Sequence, residues 1–259
     1  MSIVRLYLQG MKTSIAGRLT DRTDYLLSMA IMLFFDMIMP LVTIIIYSTG
    51  AAFPGWSLYE ALLIQAIFLM AKGISFPFFF GMVWNTIWRV RDGTLDLLLI
   101  KPRSPLLMLI VTAFDAEDLG KLIGGVTLFT VAVFHLPAAA LGAWLQFALL
   151  FLVAVLMFFA FALFISGVTI IWVGTYRVYE IFDSVTMFSL YPTSIFSRAF
   201  RTMITTVIPV AAMGSLPAAV LLGRPADGAW AAVPVVLVFT LAAYGFWVNM
   251  MKRYKSAGG

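Results

Sequence analysis

Asp36 and Lys72 are charged residues set deep inside long apolar runs. An ionised side chain at such a position costs about 2.5–3.5 kcal/mol on insertion scales, so it needs either a partner or a function. If 25–48 and 58–84 are adjacent antiparallel helices, Asp36 and Lys72 each lie eleven or twelve residues from the same end. Both then sit at a depth of about 17–18 Å, level with one another. The spacing predicts an intramembrane ion pair, with a direct transport role as the alternative.

A second chemical concentration is RVRDGTLDLLLIKPRSP at 89–105. Arg89, Arg91, Asp92, Asp96, Lys101 and Arg103 flank an apolar stretch carrying Leu95, Leu97, Leu98 and Leu99. Gly93, Pro102 and Pro105 punctuate it. Charges can make charge-assisted contacts on a partner surface, and leucines can fill a groove there. A solvated loop would need the bases but not the leucines.

Catalysis has little support. His135 is the single histidine, beside Pro137, and there is no cysteine. No H-E-x-x-H, G-x-S-x-G or G-x-x-x-x-G-K-[ST] pattern occurs. Gly120-Lys121 is followed by Leu122 and lies in an apolar run. The expectation is therefore no catalytic residue, no metal site and no cofactor in this chain.

The elements that hold these residues follow from composition. The 259 residues are 63% hydrophobic and 11% charged, where a soluble domain has about 25% charged. Lipid must serve as solvent for much of the chain. The sequence predicts an all-α integral membrane protein, one domain of 259 residues. Six apolar runs of about 20 residues or more are expected to span, at about 25–48, 58–84, 106–134, 144–172, 178–197 and 229–250. The fifth contains Glu180, Asp183 and Pro192. In the third, Glu117 and Lys121 are spaced to pair across one helical turn, and Gly120 and Gly124 form a GxxxG that permits close helix contact. All seven tryptophans fall near span ends, where indole is half buried and its N–H stays wet. Residues 2–20 read as an amphipathic interfacial helix, with Arg5, Gln9 and Lys12 opposite Val4, Tyr7, Met11 and Ile15.

Basic residues set the orientation. On one side lie Arg5, Lys12, Arg18, Arg22, Arg89, Arg91, Lys101, Arg103, Arg177, Lys252, Arg253 and Lys255. The other side keeps only Arg198, Arg201 and Arg224. The positive-inside rule places both termini and the 89–105 loop in the cytoplasm. The bases sit at the ends of apolar runs rather than on one soluble face, so a membrane, not a nucleic acid, is the expected partner. Residues 198–224 are apolar but broken by Pro209, Gly214 and Pro217. Two short halves predict a re-entrant helical hairpin at about 202–222, acting as a gate. One kinked span, giving seven crossings, is the alternative.

The segment R-x-R-D-G-T-L-D-L-L-L-I-K-P-R-S-P after the second span resembles the coupling region of bacterial permeases in the type-2 ABC exporter family. Tyr191-Pro192, Ile195-Phe196, Ile208-Pro209 and Leu216-Pro217 are similar to a subgroup of those permeases, and the likeness covers nearly the whole length. The resemblance implies a permease subunit in the bacterial cytoplasmic (inner) membrane. It implies pairing with a second permease, identical or homologous, and docking through 89–105 onto ABC ATPase subunits that carry ATP and magnesium. It implies export of an amphipathic or hydrophobic compound such as a drug, lipid, peptide or glycan-linked lipid. A secondary transporter or channel without an ATPase, and a membrane-embedded enzyme, remain the alternatives.

Overall fold

The computed structural model describes residues 3–172, 176–226 and 228–255; the expected start of the interfacial helix at residue 2 lies outside them. All regular structure among these residues is helical. Helix α1 (Ile3–Arg18) precedes α2 (Arg22–Ser48), capped by the Asp21 carboxylate on the Asp24 N–H. α3 (Leu58–Ser75) starts on a capping box between Ser57 and Glu60 and runs through a π-helical turn, Phe76–Phe80, into α4 (Met82–Arg91). Then come α5 (Asp96–Leu99), α6 (Pro105–Val111), α7 (Leu119–Phe134) and α8 (Leu141–Ile171). The chain ends with α9 (Tyr176–Thr186), α10 (Arg198–Thr202), α11 (Ser215–Leu221) and α12 (Ala229–Arg253).

Four of these segments are long and apolar enough to cross a membrane: Arg22–Ser48, Leu58–Arg91, Leu141–Ile171 and Ala229–Arg253. The expected third and fifth spans are not single helices. The run 106–134 breaks at 112–118, leaving a 16-residue α7, about 24 Å long against a hydrocarbon core of about 30 Å. The break falls where Asp115, Glu117 and Asp118 crowd the chain. The run 178–197 is α9 followed by 3₁₀ turns at Met187–Leu190 and Thr193–Ile195, separated by Tyr191-Pro192. Pro192 has no N–H to continue the ladder.

α3 and α8 form the centre. In the most apolar stretch of Leu58–Arg91, 72% of residues are buried, against 11% for Arg22–Ser48 and 22% for Ala229–Arg253. Glycines set the closest approach. A Cβ on Gly73 would stand 2.4 Å from the Leu122 nitrogen, and one on Gly125 would stand 2.6 Å from the Met70 nitrogen, so α3 and α7 meet backbone to backbone. Gly120 approaches the Met29 backbone of α2, and Gly124 takes the Leu33 side chain. The tryptophans divide: Trp88, Trp172 and Trp230 are exposed, whereas Trp247 is buried against Gly167 of α8. Trp247 is therefore a packing residue rather than an interfacial one.

The helix breaks are matched to each other. The π-helical turn 76–80 presents carbonyls at Pro77 and Phe78 to donors from other elements, and a buried carbonyl without a donor is costly. The Asp115 N–H donates to Pro77 O at 3.0 Å. Asn85 donates to Thr112 O at 2.7 Å. Gly81 lets this contact form, since a Cβ there would meet Ala113 O at 2.2 Å. The remaining carbonyls are served from the N-terminal region. The Tyr7 hydroxyl donates to Phe78 O at 2.6 Å, Ser14 to Phe114 O at 2.9 Å and Tyr25 to Ala116 O at 3.2 Å. Arg18 closes the end of α1 on Glu117 at 2.6 Å. Burial pushes the Tyr7 hydroxyl up to about 12, so it stays a donor at neutral pH.

Candidate functional site

The 89–105 segment folds as a turn and a short helix at the end of α4. Gly93 takes a left-handed φ of 68°, a conformation glycine adopts without strain. The Thr94 N–H then returns to Arg89 O at 2.8 Å. Leu95 and Leu98 are 0% and 1% exposed and anchor α5 to the body of the protein. This corrects the expectation that all four leucines face a partner. The outward apolar surface is Leu97, Leu99 and Ile100, and Ile100, at 79% exposed, was missed in the sequence. Arg91, Asp92, Lys101, Pro102 and Arg103 are exposed around it; Arg91 pairs with its neighbour Asp92 at 3.2 Å, and Arg89 and Asp96 are half-buried. Tyr254, just beyond α12, has its hydroxyl pushed up by burial and by the Asp96 carboxylate.

Asp36 and Lys72 lie together, with Nζ 2.7 Å from Oδ1. The sequence missed a third member. Lys121 approaches the other Asp36 oxygen at 3.9 Å and bonds Asp118, which precedes it by three. Its partner is therefore not Glu117, which turns away to Arg18. Both ammonium groups stand over the Phe76 ring, at 5.3 and 5.4 Å from its centre. The spacing Asp118-x-x-Lys121 was the signal available for this. Two adjoining cavities of about 360 and 400 Å³ meet at Asp36, Lys72 and Asp183.

Residues 198–224 enter and leave at one end of the molecule. Arg201 donates to Thr193 O at 3.2 Å, and Ser194 accepts from the Trp56 indole at 2.9 Å. At the far end of the segment Arg224 bonds Glu60 at 2.6 Å and covers the Trp56 ring. Between them the chain turns at Pro209, and Val210–Met213 and Ser215–Leu221 are wholly buried. Gly214 is the deepest close approach: a Cβ would meet Ser189 O at 2.6 Å and Ile64 O at 3.1 Å. Pro217 sits in the first turn of α11, where its missing N–H costs little.

A deeply apolar helical body, a charged turn presenting leucines, and a broken segment before the last long helix are the features a family assignment has to explain. A family model described as ABC-2 family transporter protein matches residues 30–258. The chain belongs to that family. No curated protein and no solved structure matches it. As an ABC-2 permease it is a multi-pass membrane protein and the permease subunit of an ABC transporter. Permeases of this family are normally non-catalytic and associate with ABC ATPase subunits, where ATP is hydrolysed.

Proposed function

We propose that this permease is an exporter subunit of a bacterial cytoplasmic membrane, with both termini in the cytoplasm. It pairs with a second permease, identical or homologous, and docks through 89–103 onto ATPase subunits that hold ATP and magnesium. Its cargo is an amphipathic or hydrophobic compound. The observation that carries the reading is the presentation of Leu97, Leu99 and Ile100 on α5, ringed by Arg91, Asp92, Lys101 and Arg103 and held rigidly by Leu95 and Leu98. An exposed apolar patch with a charged rim is what a protein interface requires and a solvated loop does not. The basic asymmetry of the sequence supports its cytoplasmic placement.

Leu97→Asp with Leu99→Asp tests it. Both side chains point outward, so folding and membrane insertion should survive. Capture of the ATPase should fall by at least ~10-fold, because a charge buried unpaired at an interface costs about 2–5 kcal/mol. Asp92→Lys should weaken capture less, by changing the rim. If the double variant retains its ATPase and transports normally, 89–103 is an orientation signal only.

A further inference from the structure

The two cavities that meet at Asp36, Lys72 and Asp183 carry a surplus of negative charge and of hydrogen-bond acceptors. The larger is walled by five carboxylates against two ammonium groups, with Arg18 alongside holding Glu117 at 2.6 Å and reaching Asp115 at 4.0 Å. Lys72 and Lys121 are spent on Asp36 and Asp118. Asp183 lines both cavities, and its carboxylate has no ion-pair partner among the described residues. Beside it the rings of Trp84, Tyr176 and Tyr179 cluster, with Trp84 4.6 Å from Tyr179 and 5.4 Å from Tyr176. Aromatic faces next to a free carboxylate attract an organic cation.

The smaller cavity adds an independent sign. Gln65 lines it, is 1% exposed, and donates to Thr43 at 2.7 Å. Its Oε1 has no hydrogen-bond donor, and Oδ2 of Asp36, lining the same cavity, has only the Lys121 ammonium at 3.9 Å. A buried acceptor without a donor is costly, and both oxygens line one cavity. Its volume of about 360 Å³ falls within the ~300–1,000 Å³ range of small-molecule sites.

We propose that these joined cavities bind a protonated amine carried on an apolar body, its cationic head held by Asp183 and the Trp84–Tyr176–Tyr179 rings, with Gln65 accepting a donor from the ligand. An anionic head is disfavoured by the carboxylate surplus, and a neutral one leaves Asp183 unpaired. That this ligand is the transported cargo rests on the permease reading; that it binds does not.

The test is direct binding to the full chain in nanodiscs, without an ATPase. The probe is a dansyl-tailed alkylamine with a free terminal amine, compared with its alcohol and carboxylate analogues after subtraction of empty discs. The amine should bind saturably and ~10-fold or more tighter than either analogue, since each tenfold is about 1.4 kcal/mol, the scale of one ion pair. Asp183→Asn should remove that preference and Asp183→Glu should restore most of it. Gln65→Leu also removes the buried bond to Thr43 and lowers the melting temperature in either case; it should weaken amine binding as well, whereas a merely structural glutamine would leave binding alone. Equal binding of the three probes, or an unchanged Asp183→Asn, would mean a water-filled cavity only and overturns the assignment. Amine binding without ATP-driven movement in the assembled transporter would instead sink the reading of the amine as cargo and leave the site standing.

Discussion

At the scale of single residues, the Asp36 carboxylate is the hub of a three-charge arrangement rather than half of a pair. That changes what its removal does. Lys72→Ala leaves Asp36 with Lys121 at 3.9 Å, so part of the compensation persists. Asp36→Ala leaves Lys72 buried with no carboxylate of its own, and breaking a buried pair from one side costs about 3–5 kcal/mol. Asp36→Ala should therefore lower folded yield more than Lys72→Ala does. A thermal-stability series on the two variants and the double variant reads this out, and equal losses would show that Lys121 plays no part. Asp36 and Lys72 were legible in the sequence because both interrupt apolar runs at matched depth. Lys121 was not, because a helical neighbour at the favourable spacing, Glu117, offered a local partner. The tertiary contact of Arg18 takes that partner away.

At the scale of elements, the long apolar runs were readable because length and hydropathy alone decide them. The breaks were not. A run such as 106–134 stays apolar on average across its charged stretch, and its backbone leaves the helix only because other elements supply donors. Tyr7, Ser14 and Tyr25 donate to carbonyls at Phe78, Phe114 and Ala116, and nothing local in the sequence announces those bonds. Non-helical backbone at such a depth is tolerated only where protein packs against it, which gives α1 a purpose beyond lying on a surface. Tyr7→Phe together with Ser14→Ala keeps the apolar face of α1 but leaves two of those carbonyls without donors, at about 1–3 kcal/mol each. Amide hydrogen exchange across 3–18 and 112–118 should accelerate in this variant while α8 stays protected. Unchanged exchange in both segments would mean that α1 docks through its apolar contacts alone.

At the scale of the whole molecule, the number of passes matters more than the number of long helices. Trp56 and Trp84 lie near the two ends of the α3–α4 column. The broken segment after α8 runs from one to the other: the Tyr179 ring lies 4.6 Å from Trp84, and Ser194 bonds the Trp56 indole. The charged break and α7 do the same in the third position, from Asn85 beside Thr112 to His135 stacked on Tyr59 at 4.1 Å. Two interrupted segments run between the same two ends as the α3–α4 column, while 198–224 returns to the end it left; with the four long helices we propose that they make six passes. On that proposal both termini lie on one side, in keeping with twelve bases there against three opposite. The chain has no cysteine, so single cysteines report cleanly. Cysteines at Thr202 and Leu222 should both label from outside with an impermeant maleimide, and one at Lys255 only from the cytoplasm. The hairpin floor, tested at Ala211, should resist both reagents in the resting protein and become reactive from outside once the partner ATPase turns over. Labelling of Thr202 and Leu222 from opposite sides would make 198–224 a true crossing, reverse the C-terminus and remove the basis for a gate at Pro209, Gly214 and Pro217.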